Sequence, residues 1–222
     1  SLIASANDIG TNGKGNHQHN DFLSFELYGV NPFIVDPWSY CYTGNPDLRN
    51  KDRSIESHNS IEIDGREVVE FDPNRLFEML GNIRTEIEEL SDTERIASFT
   101  LSHNGYYNLK AGRQIHKRTF DINKNNNEIN IFDSLKGIGK HKAIIKFHIP
   151  QKYFTMYQKD TSLIFKNDLE EFIISSNQES FNITEGFVSE HFLNRSPSYV
   201  LSLEVEYNNN LNITTNIKYL KV

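Results

Sequence analysis

The sequence predicts an all-β protein, a large antiparallel β-sandwich of two sheets with roughly twelve or more strands and little helix. Three observations predict it. Short runs alternate apolar and polar residues along most of the chain, from DFLSFELYG near the start to YVLSLEVEYNNNLNITTNIKYL at the end, which is the period of a strand with one buried face. Polar breaks such as KNNN at 124–127 and NNN at 208–210 supply hairpin loops. Few windows hold a helical repeat long enough to bury a stripe.

The 222 residues are 37% hydrophobic and 12% aromatic, a packed rather than a disordered composition. Neither a tandem repeat nor a Pro-, Gly- or Ser-rich linker divides the chain, so residues 1–222 read as a single domain.

In order, residues 1–16 form a loop entering the first strands. Its GTNGKG run resembles a phosphate cradle only superficially, because the spacing and the Lys-Ser/Thr ending of a P-loop are missing, and no nucleotide role follows. From Asp21 the alternation puts Phe22, Ser24, Glu26 and Tyr28 on one strand face and Leu23, Phe25 and Leu27 on the other. NPFIVDP is the second strand. GNPDLRNKDRSIES reads as a polar, charged loop. HNSIEIDGREVVEF holds two alternating runs around Asp64-Gly65, a strong hairpin signal. Helix is confined to Asn74–Leu80 at most. NIRTEIEELSDTERIASFTL, RQIHKRTFDINKNNNEINIFDSL, KAIIKFHIP, SLIFKN and LEEFIISS continue the β pattern.

A formal charge of −7 excludes an ordinary nucleic-acid binder, which needs a basic face. An anionic ligand would be left with a local basic patch, best represented by Arg49, Lys51 and Arg53, although such loop charges are commonly solvated surface. No window approaches the roughly eighteen apolar residues of a membrane span. The start, SLIASANDIG, has neither a basic n-region nor an initiator Met and reads as that of a fragment or processed product. The single Cys41 excludes an internal disulfide framework and a Cys-based zinc site.

Chemistry concentrates in GNHQHNDFLSFELYGVNPFIVDP at 15–37 and RSIESHNS at 53–60. If residues 17–21 are extended, His17, His19 and Asp21 face one side, about 7 Å apart in succession. Asp36 ends the next apolar run and His58 begins the hairpin strand, so neighbouring strands bring a carboxylate and a third imidazole to them. Three such ligands with water in a fourth position suit zinc, and His19, Asp36 and His58 are the ligand set expected. The alternatives are polar residues that satisfy buried backbone groups, or an iron site of the oxygenase kind. Tyr40 and Tyr42 follow Asp36, where a phenol stacks on a sugar ring or moves a proton, or simply fills the rim. Arg53 has a fork suited to a carboxylate. Asp21 supports a metal-bound imidazole from behind or caps a turn. The remaining histidines read mostly as structural.

The run HQHNDFLSFELYGVNPFIVDPWSYCY, followed by Arg53 and SIESHNSIEIDG, resembles the C-terminal β-sandwich of the heparinase II/III-like polysaccharide lyases. That pattern is a His-x-His-x-Asp strand, an apolar run ending in Asp-Pro-Gly, an aromatic pair, and Arg-Ser/Thr-x-x-His-Asn-Thr. The later SHNGYYNLKAGRQIHKRTFDINKNNNEINIFDSLKGIGKH is similar to the family's His-x-Gly-Tyr, His-x-Arg and Asp-x-Leu-x-Gly-x-Gly-x-His succession, so the likeness covers most of the chain and makes His103 the exception among the later histidines. Two positions depart, Trp38 for Gly and Ser60 for Thr.

The resemblance implies one zinc, structural in role, on His19, Asp36 and His58, with His17 lining a catalytic cleft and Asp21 behind the metal. Tyr40, Tyr42 and Arg53 are the substrate-binding candidates. The implied reaction is β-elimination from an acidic, uronate-containing polysaccharide, which requires carboxylate neutralisation, a base for the C5 proton and an acid for the departing O4. A His with an ordinary pKa of about 6.5 suits either proton role. In the family a preceding N-terminal α/α toroid supplies a catalytic Tyr and an Asn or His, so this stretch carries half a site. A periplasmic or extracellular location follows from the resemblance alone. The competing expectation is a non-catalytic carbohydrate-binding or structural module in which zinc only ties strands together.

Overall fold

Two very long strands, β8 (Glu128–Pro150) and β13 (Asn194–Lys221), pair antiparallel over almost their whole length and form the spine of the computed structural model, which describes residues 1–10, 14–178 and 180–222. The middle of the GTNGKG run, residues 11–13, lies outside the described residues. On one flank β7 (Gln114–Asn123), β6 (Ile96–His103) and β5 (Thr85–Asp92) extend the sheet from β8. On the other, β11 (Glu170–Ser176), β10 (Ser162–Lys166) and β9 (Thr155–Lys159) extend it from β13. Two further strands join the spine, β4 (Ile61–Ile63) on β8 and β12 (Asn182–His191) on β13, making ten strands. A second sheet of three strands, β1 (Leu2–Ala4), β2 (Phe25–Tyr28) and β3 (Pro32–Ile34), completes the predicted all-β sandwich.

The core lies between the sheets, where the period of two sends alternate residues inward. Along β8, Ile129, Ile131, Leu135, Ala143, Ile145 and Phe147 are buried. Phe25 meets Phe120 and Phe147 edge-on, with ring centroids 5.3 and 5.7 Å away, and Phe33 stacks on Phe172 at 3.9 Å. Burying each such ring contributes about 2–3 kcal/mol. The small sheet is also pinned at its β2–β3 turn, where the Val30 and Asn31 N–H groups donate to the buried Glu170 carboxylate at 2.6 and 2.8 Å.

The structure departs from the sequence expectations around the site. Residues 17–21 are not a strand: His17 and Leu23 hold φ values of 61° and 55°, and regular pairing begins only at Phe25. The cause is Asn20, whose side-chain amide accepts from Val69 N–H at 2.8 Å and donates to its carbonyl at 3.1 Å, imitating a strand partner with one side chain. Asp64-Gly65 does turn, with φ of 56° and 66° as a tight two-residue hairpin requires, but only its first arm, β4, becomes a strand. In the second arm Glu67 accepts from Ile55 N–H at 2.8 Å and from Asn20 at 2.6 Å, drawing the chain towards the site.

The helix expected near Asn74–Leu80 is a series of turns instead, and α1 (Pro46–Arg53) stands where a loop was read. The Asn45 side chain caps its N-terminus by accepting from Leu48 N–H at 3.1 Å, and Pro46 presets the first turn. Its hidden face is Arg49, Asp52 and Arg53, so no apolar stripe announces it. A single 3-10 turn, Ile55–Ser57, follows and delivers His58 at its end.

Candidate functional site

Asp36 leaves the end of β3 and His58 leaves the 3-10 turn, and the two meet with His58 Nδ1 2.7 Å from Asp36 Oδ2. Ser24 Oγ also donates to Asp36 Oδ2, at 3.3 Å, and Trp38 N–H to Oδ1, at 3.1 Å. Burial opposes both charges, yet the pairing wins: Asp36 is held down at about 2 and His58 is raised. His58 is 1% exposed and its Nε2 has no partner, an orphaned buried nitrogen of the kind that asks for an explanation.

The His19 ring lies 5.4 Å from the His58 ring, centroid to centroid. Its Nε2 faces Ser39 Oγ at 3.1 Å and the Arg49 guanidinium. Burial first, then His58 and Arg49, push His19 down to about 3, so this imidazole is neutral and one of its two nitrogens keeps a lone pair for an acceptor or metal role. Asp21 takes a hydrogen bond from Ser5 Oγ at 3.0 Å and is raised mainly by burial.

Among the described residues no group of three His, Cys, Asp or Glu side chains stands in a metal-holding arrangement; His58 Nδ1 and Asp36 hydrogen-bond directly, and Arg49 meets His19. The donor chemistry nevertheless fits zinc: two imidazoles and a depressed carboxylate converge, with one buried imidazole nitrogen left unpartnered.

His17 is separate from this cluster. It is exposed, its N–H donates to Phe77 O at 3.2 Å, and its ring packs against Phe77 (4.8 Å) and Tyr42 (6.2 Å). The cleft beside it consists of two adjoining depressions that share His19, Asp21 and Asp36; Tyr42 borders the larger one, of about 640 Å³. Tyr40 does not border either. Its N–H donates to Asp52 Oδ2 at 2.7 Å, and the Arg195 guanidinium lies 4.8 Å above its ring.

Arg53 is not available to a substrate. It is fully buried, and its five N–H donors all have partners: Nε and Nη2 both donate to Asn50 Oδ1, Nη2 also to Asp72 O, and Nη1 to Arg75 O and Glu78 O. One of them, Arg75 O, is a carbonyl that an Asn74–Leu80 helix would have used within itself. Arg49 is equally buried, but its Nε and Nη2 have no partner.

Trp38 has φ 58°, in the left-handed region where the resembled family carries Gly and where a bulky side chain is strained. Its indole N–H donates to Glu26 Oε1 at 2.9 Å, which offsets part of that cost.

Sequence reasoning missed the buried relay beneath the site. Gly105 N–H donates to His103 Nδ1 at 3.1 Å, which leaves His103 Nε2–H to donate to His116 Nδ1 at 3.3 Å and His116 Nε2–H to donate to Asp133 at 2.8 Å. Arg118 completes it, donating through Nε and Nη2 to Asp133 at 2.7 and 3.1 Å. Arg118 Nη1 then donates to Leu23 O at 2.7 Å and Asn59 O at 2.6 Å, fastening the two segments that carry Ser24 and His58. The signal was present in QIHKRTF, where two basic residues occupy alternate positions on an inward strand face.

Residues 1–216 match the family described as Heparinase II/III-like, C-terminal. Among solved structures the chain is similar to heparinase III, the BT4657 gene product, at 17% identity and TM-score 0.81, covering 99% of this chain and 33% of that one. It is also similar to heparan sulfate lyase HepC from Pedobacter heparinus, at 16% identity and TM-score 0.80, covering 100% and 33%. At that identity the likeness shows a common fold, and the chain spans about a third of the length of these structures. None of the curated proteins matches it. No helix among the described residues is long and apolar enough to cross a membrane.

Proposed function

Because the chain belongs to the heparinase II/III-like C-terminal family, we propose that it is the zinc-binding β-sandwich of a periplasmic or extracellular polysaccharide lyase acting on uronate-containing glycans. The observation that carries this reading is the juxtaposition of an exposed imidazole, His17, with the buried Asp36–His58 pair and neutral His19 along one aromatic-bordered cleft. An N-terminal α/α toroid would form the opposite wall and supply the remaining catalytic groups.

Zinc bound by His19, Asp36 and His58 would tie together the segments after β3, before β2 and after α1. His17 would act as the base towards the C5 proton or as its partner, held in place by its backbone bond to Phe77 and by ring contacts rather than by a strand. Tyr42 would pack against a sugar ring. Arg49 is as fully buried as Arg53 and borders neither depression, so neither arginine is offered to an anionic substrate group. Asp21 and Asp36 border the cleft, so a toroid residue would have to neutralise a uronate carboxylate there.

The test is incubation of the full-length protein with heparan sulfate, hyaluronan, chondroitin and alginate, followed by ultraviolet absorbance of the unsaturated uronate. The expected result is an absorbance rise with at least one polymer and none with a neutral glucan. No rise with any of them would leave the second reading, a carbohydrate-binding module without catalysis, which draws on the same aromatic cleft.

A further inference from the structure

The β12–β13 turn brings into the cleft an aromatic side chain that the elimination chemistry does not require. Ser189 N–H donates to Pro37 O at 2.9 Å and Leu193 N–H to Tyr40 O at 2.8 Å, so two backbone bonds clamp this turn to the loop that carries Trp38 and Tyr42. Between the clamps Phe192 projects with 62% of its surface exposed. Its ring lies nearly parallel to Tyr42, at 6.1 Å and 21°, and Tyr42 lies nearly parallel to Phe77, at 6.4 Å and 28°. The Arg49 guanidinium sits 5.4 Å from the Tyr42 ring centre.

An offset strip of near-parallel rings held by fixed backbone contacts keeps apolar faces in water, a cost that a folded domain bears when something covers them. Trp38, half exposed and at positive φ, adds a second such feature on the same rim. Around the rings stand hydrogen-bonding groups, Glu26, Ser39, Glu190 and His191. Apolar planes ringed by acceptors and donors match a pyranose, whose C–H face is apolar and whose edge is hydroxyl-rich.

We propose that Phe192, Tyr42 and Trp38 form a sugar-ring subsite and that Phe192, contributed by the β12–β13 turn, sets its affinity. The inference rests on the reading that the cleft receives a glycan, and it names the residue that grips one ring of it. Phe192 is a binding residue, remote from His17 in sequence and outside the proton chemistry.

The test is calorimetric binding of hexasaccharides of heparan sulfate, hyaluronan, chondroitin and alginate to the full-length protein carrying His17→Ala to prevent turnover. Adding Phe192→Ala is expected to weaken the best-bound hexasaccharide about tenfold, the size of an aromatic hot-spot contact. Phe192→Tyr, which keeps the ring, is expected to stay within about twofold. Unchanged affinity on Phe192→Ala overturns the subsite and leaves the lyase reading standing. Failure of the His17→Ala protein to bind any of the four removes the glycan reading and the subsite together. Self-association that disappears with Phe192→Ala overturns the subsite in favour of a contact between copies.

Discussion

Replacing His17 by alanine in the full-length protein is expected to lower elimination about 10²- to 10⁴-fold, the usual range for removing a positioned acid or base, while thermal unfolding changes little. The side chain is exposed and reaches only the rings of Phe77 and Tyr42. The bond that fixes the turn comes from its backbone N–H and survives the substitution. Both residues carry a Cβ at φ 61°, so the strain is retained and the stability change stays within about 1 kcal/mol. The loss should fall on kcat, because a proton-transfer group acts in the transition state rather than in ground-state binding. Unchanged elimination would remove His17 from the chemistry.

Arg118→Met is expected to destabilise the fold by about 3–5 kcal/mol, measured from urea midpoints. The guanidinium is fully buried and is the charge that lowers Asp133 against its own burial. Removing it strands a buried carboxylate with only His116 and leaves Leu23 O and Asn59 O without a charged donor. Replacing both partners, Arg118→Met with Asp133→Leu, should recover part of the loss, because an apolar pair leaves no uncompensated charge. A single-variant loss below about 1 kcal/mol would contradict the buried pairing. The backbone of the site segments hangs on this residue, so activity should decline before global unfolding.

Alternation made the sandwich legible, because a strand's period is written in its own neighbours: β7 and β11 read directly from their runs, whereas NNN at 208–210, expected as a hairpin loop, is a bulge inside the continuous β13, and the runs on either side of residues 136–141 are one strand, β8. The segments carrying the site did not read so well. Asn20 meets Val69, Arg53 meets the carbonyls of residues 72–78, and Glu67 meets Ile55, so their shape is decided by side chains reaching backbone far along the chain. Helix α1 hides two arginines and an aspartate rather than a stripe of leucines, and its only local announcement was Asn-Pro-Asp at its start. The approach of His19, Asp36 and His58 was legible through the resemblance to the family's residue pattern and not through spacing, since residues 17–21 are not extended. Tyr40 and Tyr42 share the expected loop after Asp36 but part company, Tyr42 bordering the cleft and Tyr40 lying under Arg195. Phe192 carries no signal at all: an aromatic at a hairpin tip looks like any other until its neighbours are known.

In the proposed division of labour, His19, Asp36 and His58 hold zinc and His17 is left free for substrate. Elemental analysis of three proteins purified without added metal tests it most directly. The expected result is about one zinc per chain in the unsubstituted protein and in His17→Ala, and well below one in His58→Ala, whose orphaned Nε2 is lost with the ring. Zinc absent from all three, iron in its place, or zinc lost on His17→Ala as fully as on His58→Ala would contradict it.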